Sequence, residues 1–485
     1  MGISETIRSG TKVLALSNIA VRGVNFIIGI ILARLLFPED FGLVITISVF
    51  TGFAGLIATG GMGQALVQAK ELEAKNSYTI FTLQLLICTL IFLFFYLLSP
   101  YFASWYNEPV YEPLLAVSAL SFLIRPFLNV PSSLLQRDEK YAQMGLVNFS
   151  AMLISGGISV LMALEGYGVW SLVVSGLIGG IIHIMILFYL TRWLPRLNFE
   201  FHTIKKLGTY GAKFSINGIL RYLKLKVNNL VISGMLGPAM VGLFNKGESL
   251  ADLPKDIVLG STYQTLFRSF SKEQDNDELL KYLYYKAITI TSFYLIPIYV
   301  MAFFLCEPAV LLLYGEKWAG AVDILKILSL TGLFMFGSHS GALIAAKGAL
   351  TKEIYLNLET FVLVVIGSMI GVKWGIEGVA IAYLLNRWYV NYRLHMIVSR
   401  LIHGNVRDLL WALFPSFLFG GGLACFLWLL ESLFPTLQQS YLIHLLSFGV
   451  FGLIFYLLCF FLIPVQSLVG EKKRILAFVK IQSSL

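Results

Sequence analysis

The sequence predicts an all-α polytopic membrane protein with about fourteen transmembrane helices. Of its 485 residues, 57% are hydrophobic and only 13% are charged, whereas a soluble domain carries about 25% charged residues. Apolar segments long enough to cross a bilayer recur along the whole chain. A backbone in lipid must satisfy its hydrogen bonds internally, and these segments are too long for the strands of a barrel, so they are predicted to be helices.

The predicted spans follow one another with short connections. They are residues 12–36, 40–66, 78–102, 112–136, 142–164, 168–192, 208–235, 238–267, 280–305, 320–347, 353–373, 377–401, 407–431 and 441–464. The segment 306–319, between the ninth and tenth spans, is predicted to be a short surface segment.

The distribution of basic residues predicts the orientation. Alternate loops carry lysine and arginine, from Arg8 and Lys12 near the start to the basic run 472–474. The intervening loops carry almost none, and Lys317 and Lys373 are the main exceptions. The positive-inside rule therefore places both termini in the cytoplasm and requires an even number of spans. The first residues lack the apolar core and cleavage site of a signal peptide.

Several function classes are disfavoured. The net charge of +9 is scattered over short loops rather than gathered on one face, which argues against a nucleic-acid partner. The four cysteines, at positions 88, 306, 425 and 459, have no metal-ligand or disulfide spacing, so neither a metal nor a cofactor is predicted. Phosphate-loop, zinc-protease and serine-hydrolase motifs are missing. No loop is large enough for a catalytic domain, so the chain is predicted not to be an enzyme.

The first twelve predicted spans contain an internal repeat. Six positions recur two hundred residues later: Pro38, Gly42, Leu43, Gln64, Leu66 and Glu73 correspond to Pro238, Gly242, Leu243, Gln264, Leu266 and Glu273. The prediction is two six-helix lobes around a central cavity, an N-lobe over 1–200 and a C-lobe over 201–404, with two further helices and a cytoplasmic tail over 405–485. Such parallel repeats place a substrate site between the lobes at mid-depth. Chance similarity between apolar helices is the alternative.

Three arginines lie near the centres of predicted spans: Arg22, Arg125 and Arg221. A charged side chain at the bilayer centre costs about 2.5–3.5 kcal/mol, so it usually faces a water-filled cavity or a partner. Two of the three are related by the repeat, because Asn18 precedes Arg22, and Asn217 precedes Arg221, by one helical turn.

The seventh span carries a continuous polar stripe at helical spacing, made of Lys213, Asn217, Arg221, Lys224 and Asn228. Facing a central cavity, this stripe would make the cavity strongly cationic. The alternative is that its cations pair with acids of the eighth span, which also lie on one face: Glu248, Asp252 and Asp256. Two further intramembrane charges, Glu359 and Arg387, are either functional or paired.

Three stretches resemble a known family. They are Leu36–Leu43 (LFPEDFGL), Leu134–Arg137 (LLQR), and the eighth-span residues Phe244–Lys246 (FNK) and Leu250–Pro254 (LADLP). On these the chain resembles the polysaccharide transporter family of the multidrug/oligosaccharidyl-lipid/polysaccharide exporter superfamily, whose best-known members are Wzx-type flippases. The family commonly has arginine where this chain has Lys246, which keeps the charge.

The resemblance implies a function and a set of residue roles. The family moves undecaprenyl-pyrophosphate-linked oligosaccharide across the bacterial plasma membrane by alternating access driven by ion gradients. It serves the synthesis of cell-surface polysaccharide such as O-antigen, lipopolysaccharide, capsule or exopolysaccharide. Its cationic cavity suits a pyrophosphate, a role that would fall here on Arg22, Arg125, Arg221 and Lys224.

The predicted substrate site is completed by Lys213, Asn18 and Asn217, and the coupling cation is assigned to Asp252, Asp256 or Glu359. Expected partners are the lipid-linked oligosaccharide, the bilayer, and the polysaccharide polymerase and chain-length machinery. The alternatives are a multidrug exporter of the same superfamily, a membrane polymerase or ligase of lipid-linked glycans, and a lipid II flippase.

Overall fold

The computed structural model describes residues 20–68, 73–465 and 468–474, apart from the side chains of residues 202–218, 220, 260, 261, 264 and 350. All regular structure within these residues is helical, and none of it is strand. The prediction of an all-α protein is confirmed.

Seventeen helices are numbered here in chain order. They are α1 (20–35), α2 (Pro38–Thr59), α3 (Met62–Gln68), α4 (Ala74–Tyr106), α5 (Tyr111–Arg137), α6 (Tyr141–Leu164), α7 (Trp170–Thr191), α8 (Phe201–Leu236), α9 (Pro238–Lys272), α10 (Asp277–Phe304), α11 (Cys306–Tyr314), α12 (Ala321–Ser329), α13 (Ser340–Ala346), α14 (Leu350–Gly371), α15 (Gly375–Leu401), α16 (Val406–Leu433) and α17 (Tyr441–Leu462), within the described residues. Short 3₁₀ helices occupy Glu316–Trp318, Leu330–Gly337, Val372–Trp374 and Pro435–Gln438.

Each predicted span falls on one of these helices or on a short run of them, except that residues 12–19 of the first span lie outside the described residues. Ten helical segments among the described residues are long and apolar enough to cross a membrane, and one of them, Thr351–Leu401, joins α14 and α15. The ten do not include α8 and α9, which carry the charged residues of the predicted polar faces. A membrane-spanning helical protein is thus supported, and the count of fourteen spans stays a prediction.

The segment 306–319 differs from its prediction. Its residues form α11 and a 3₁₀ turn, and Val310 and Trp318 are completely buried. Both α11 and α12 pack against neighbouring helices, and α11 also contacts α17. The expectation of a surface segment was wrong because the segment is short but strongly apolar, and its apolar side chains are covered by other helices.

The described residues form two compact units, one up to Gly242 and one from Leu243 onward. In the first unit, α4 and α5 pack along their length through aromatic side chains, with the rings of Phe95 and Phe122 stacked 5.6 Å apart. The long helix α8 packs against α2, α3 and α4. The lobe boundaries expected near residues 200 and 404 remain predictions.

In the second unit, α16 and α17 pack onto α10. Phe293 of α10 is the centre of this contact, with ring centroids 5.9 Å from Phe419, 5.4 Å from Tyr456 and 4.8 Å from Phe460. The Tyr456 hydroxyl also donates a 2.7 Å hydrogen bond to the Phe293 carbonyl. The two helices that follow the predicted repeat are therefore fixed to α10 by a buried aromatic cluster.

The first unit contains a close crossing between repeat-related positions. Both α2 and α9 begin with a proline and have a glycine four residues later. A Cβ on Gly42 would overlap the Pro238 carbonyl oxygen, and a Cβ on Gly242 would overlap the Pro38 carbonyl oxygen. The backbones therefore touch reciprocally, and only glycine permits this approach.

We expect Gly42→Ala and Gly242→Ala each to lower the free energy of unfolding by about 1–3 kcal/mol, because a backbone atom cannot move aside as a side-chain tip can. The measurement is thermal unfolding of the purified protein. Gly234→Ala is the matched control, since no atom lies within 4 Å of the added methyl group. Unchanged unfolding temperatures for both crossing variants would contradict the crossing.

Candidate substrate site

Arg125 lies near the middle of α5 and is half-buried. Its guanidinium carbon is 5.1 Å from the centroid of the Phe122 ring, one turn earlier on the same helix. A Cβ on Gly55 of α2 would overlap the guanidinium. Gly55 therefore leaves the space in which the Arg125 head group lies against α2.

No described carboxylate pairs with Arg125. The ion pairs of the described residues leave it out, and its electrostatic neighbours are Cys88 of α4 and Tyr222 of α8. A cation near the middle of a membrane helix is costly unless it meets water or an anion. The surroundings of Arg125 thus suit an anionic ligand better than an internal salt bridge.

Tyr222 fixes α8 beside this arginine. Its hydroxyl donates to the carbonyl oxygens of Ser48, at 2.8 Å, and Val49, at 3.1 Å, both on α2. The ring lies where a side chain at position 52 would be, so Gly52 makes room for it. Sequence reasoning missed Tyr222, although it directly follows Arg221 and although Gly52 and Gly55 share a face of α2 at helical spacing.

The other predicted substrate residues are not gathered around Arg125 by any described contact. Arg22 on α1 and Arg221 on α8 are exposed, and Lys224 is half-buried. The other three predicted residues lie outside the described side chains: Asn18, Lys213 and Asn217. Of the predicted cations, Arg125 is the one whose surroundings the structure defines most fully.

Asp252 lies in the second unit and is bonded to two cations. Arg387 of α15 contacts both of its carboxylate oxygens, Nη1 to Oδ1 at 2.7 Å and Nη2 to Oδ2 at 2.9 Å. Lys255, one turn along α9, lies 3.0 Å from Oδ2. Arg387 also donates a 2.8 Å hydrogen bond to the Tyr383 hydroxyl. Asp252, one of the acids that the sequence offered as partners for the cations of the seventh span, is thus paired within its own unit, and Arg387 is paired rather than free.

Glu359, a predicted coupling residue, is bonded to α15. Arg393 Nη1 lies 3.1 Å from its Oε1, and the Tyr389 hydroxyl donates to the same oxygen. Both charged side chains keep more than a third of their surface accessible, 36% for Glu359 and 38% for Arg393. Asp256, the third predicted coupling residue, is exposed. No three histidine, cysteine or acidic side chains in the described part of the chain gather as a metal site would need.

Lys246, in one of the stretches that resemble the family, lies beside aromatic rings of the second unit. Its Nζ is 5.1 Å from the centroid of the Tyr314 ring and 5.7 Å from that of Trp318. Cation–π contact of this kind is available to lysine and to arginine alike. The lysine at this position therefore preserves the interaction that an arginine would make.

Comparison with known proteins identifies the family. Residues 31–323, more than half of the chain, match the family described as "Polysaccharide biosynthesis protein". The chain belongs to this family. The matched part of this polysaccharide biosynthesis protein contains Arg125, Tyr222 and Asp252 and ends before Glu359 and Arg387.

Several curated relatives match over most of their length. The lipopolysaccharide biosynthesis protein WzxC of Escherichia coli is 24% identical over 79% of each chain. The succinoglycan biosynthesis transport protein ExoT of Rhizobium meliloti is 25% identical over 68% of this chain and 66% of its own. The teichuronic acid biosynthesis protein TuaB of Bacillus subtilis is 21% identical over 82% of this chain and 85% of its own.

Two solved structures share the fold. The lipid II flippase MurJ in an inward closed conformation matches with a TM-score of 0.74 at 16% identity, over 95% of this chain and 99% of that one. An inward-facing multidrug resistance transporter of the MATE family matches with a TM-score of 0.59 at 17% identity, over 78% and 94%. These two structures are named as a flippase and a transporter, and the expectation that this protein is not an enzyme agrees with those names.

Proposed function

We propose that this protein flips an undecaprenyl-pyrophosphate-linked oligosaccharide across the bacterial plasma membrane for cell-surface polysaccharide synthesis. The observation that carries the proposal is Arg125, a half-buried guanidinium near the middle of a long apolar helix with no described carboxylate partner. Membership of the polysaccharide biosynthesis protein family supports the class of cargo. The fold shared with a flippase supports the mode of action.

The pyrophosphate is the part of this cargo that needs a cationic site. A guanidinium offers two parallel N–H donors to phosphate oxygens and is more weakly hydrated than an ammonium group. Arg125 therefore provides the central contact, with Arg22, Arg221 and Lys224 as further cations and Asn18, Lys213 and Asn217 as neighbouring polar groups. The polyprenyl tail stays in the bilayer while the head group crosses.

Ion coupling is assigned to acids of the second unit. Asp256 and Glu359 remain accessible, whereas Asp252 would bind a cation only after Arg387 and Lys255 release it. We propose that a gradient-driven cation acts at Asp256 or Glu359 and that Asp252 serves chiefly to hold α9 to α15. The polysaccharide polymerase and chain-length machinery would receive the cargo on the outer face.

Alternating access requires a contact that closes and opens, and α2 with α8 offers one. Thr46 of α2 and Ser233 of α8 share a 2.8 Å hydrogen bond between hydroxyls, close to the glycine crossing at the predicted outer ends of these helices. We infer that this contact holds the outer side closed and separates when the head group is released outward.

Cysteines at positions 46 and 233 should therefore form a disulfide that stops transport. In a background lacking the native cysteines, we expect export to fall in proportion to the cross-linked fraction and to recover on reduction. A cysteine pair at positions 46 and 234 is the control, because Gly234 faces open space. Full export by completely cross-linked protein would contradict opening at this contact.

The test of the function itself is the sidedness of the lipid-linked oligosaccharide in cells depleted of the protein. We expect intact oligosaccharide to accumulate on the cytoplasmic face, where an externally added glycosidase or lectin cannot reach it. Normal arrival at the outer face would overturn the proposal and favour a polymerase, a ligase or an exporter of another compound. The structure of the accumulated glycan would also separate a surface polysaccharide from lipid II.

A further inference from the structure

A cleft of about 870 Å³ lies in the second unit, and its lining shares no residue with the candidate substrate site. It is formed by the first turns of α10, the first turns of α16 and the segment 468–474. Both helices begin at loops predicted to be cytoplasmic, so the cleft lies where the head groups of the inner leaflet would be. At that depth we expect lipid on one side of the cleft and water on the other.

The cleft has charges of both signs. Two lysines and three carboxylates line it: Lys281, Lys286, Glu278, Asp408 and Glu471. Lys281 and Asp408 neutralise each other at 2.7 Å. Glu471 lies 4.0 Å from Arg474 on its own segment. Lys286 and Glu278 then remain, one charge of each sign.

Lys286 is the cation available to a ligand. Its Nζ donates a 2.9 Å hydrogen bond to the Tyr282 hydroxyl and lies 5.2 Å from the centroid of that ring. It has no carboxylate partner among the residues that the structure describes, and it is exposed. Glu278, two turns nearer the start of α10, is also exposed. Glu471 is less accessible and accepts a 3.0 Å hydrogen bond from Tyr294.

An exposed apolar strip leads away from the cleft along both helices. On α10 the positions after Lys286 at four-residue spacing are Ile290, Tyr294 and Ile298, and the last is 41% exposed. On α16, Trp411 lines the cleft and is 64% exposed, and Phe414 beyond it is 54% exposed. Tyrosine and tryptophan are the side chains that favour the membrane–water interface. A soluble ligand would have no use for this strip, whereas acyl chains would cover it.

We propose that the cleft binds a phospholipid whose head group carries both a phosphate and an ammonium group. The phosphate lies at Lys286, the ammonium lies toward Glu278, and the acyl chains follow the apolar strip of α10 and α16. Charge decides between classes of lipid: Lys286 and Glu278 offer a partner for each charge of a zwitterionic head group, whereas a purely anionic head group leaves Glu278 without a cation and brings a second negative charge near it. The site is independent of the proposed transport function.

Trp411 allows the site to be tested in the full chain. The purified, delipidated protein in detergent is titrated with phosphatidylethanolamine or phosphatidylglycerol brominated on the acyl chains, and quenching of tryptophan fluorescence is measured. The difference between the wild type and Trp411→Phe reports the cleft alone. We expect saturable quenching of Trp411 by phosphatidylethanolamine at concentrations about tenfold below those needed for phosphatidylglycerol.

Two variants test the assigned charges. Lys286→Gln should weaken phosphatidylethanolamine binding about tenfold, whereas Lys272→Gln, an exposed lysine at the end of α9 that does not line the cleft, should leave it unchanged. Glu278→Lys replaces the partner of the ammonium group with a second cation and should shift the preference to phosphatidylglycerol.

Each contrary result overturns the site. The proposal is refuted if quenching of Trp411 does not saturate, if the wild type binds the two lipids equally, or if Lys286→Gln binds phosphatidylethanolamine as the wild type does. If Lys286→Gln does not fold, the exposed Glu278→Lys variant decides, and an unshifted lipid preference in that variant refutes the proposal.

Discussion

Replacing Arg125 with alanine is expected to reduce export of the lipid-linked oligosaccharide by about 10- to 150-fold, the range of one or two charge-assisted hydrogen bonds to a phosphate. The protein itself should remain folded, because the guanidinium has no described carboxylate partner that its loss would leave buried. We expect the unfolding temperature of Arg125→Ala to be unchanged or raised. The measurements are the outer-face accessibility of the oligosaccharide and the amount of protein in the membrane.

The controls for this prediction separate charge from shape. Arg125→Lys keeps the charge but loses the forked pair of donors, so it should retain only part of the activity. Arg268→Ala removes an exposed arginine of α9 and should export normally. Arg22→Ala combined with Arg221→Ala should also abolish export if these side chains share the substrate with Arg125. Normal export by Arg125→Ala would show that Arg125 does not bind the substrate and would contradict the proposed site.

Asp252→Asn is expected to destabilise the second unit by about 3 kcal/mol, the lower end of the range for breaking a buried ion pair. We expect the lower end of this range because water still reaches the pair: the Asp252 and Arg387 side chains keep 23% and 15% of their surface accessible. Arg387→Gln should destabilise by a similar amount, since it leaves the carboxylate with Lys255 alone. Thermal unfolding of the purified protein measures both.

The double variant decides what Asp252 does. If the pair is structural, Asp252→Asn with Arg387→Gln should recover most of the lost stability, because the guanidinium is removed together with the carboxylate and only the more accessible Lys255 loses a partner. Export should then recover with stability. A double variant that is stable but does not export would show instead that Asp252 has a role in transport, as the sequence had suggested.

Hydropathy located the helices well because each span is a local property of about twenty residues. It did not predict which side chains are buried, as the segment 306–319 demonstrates. Trp318 is fully buried although it lies in a short stretch between spans. Length distinguishes a span from a connection, but whether a connection is covered depends on neighbours that are distant in the chain, such as α17 for α11.

For the charged residues, too, the sequence predicted positions on helices but not the partners that lie on distant helices. Spacing correctly placed the acids of α9 and the cations of α8 on helices, and it predicted that intramembrane charges need partners. It could not name the partner of Asp252, because Arg387 lies 135 positions away on a helix that periodicity does not relate to α9. Tyr222 was not predicted for a similar reason, since its hydroxyl donates hydrogen bonds to two carbonyl oxygens of α2, which is distant in the chain.

The sequence by itself determined that the protein is an all-helical membrane protein and indicated its polysaccharide biosynthesis family, because apolar length, loop charge and short motifs are encoded locally. It also drew attention to Arg125, together with Arg22 and Arg221, because a charge in the middle of an apolar helix is conspicuous without any structure. Only the tertiary structure decided that Asp252 and Arg387 neutralise each other and that Gly42 and Gly242 meet opposing prolines. Those facts depend on side chains and backbones brought together from distant parts of the chain, and no local pattern records them.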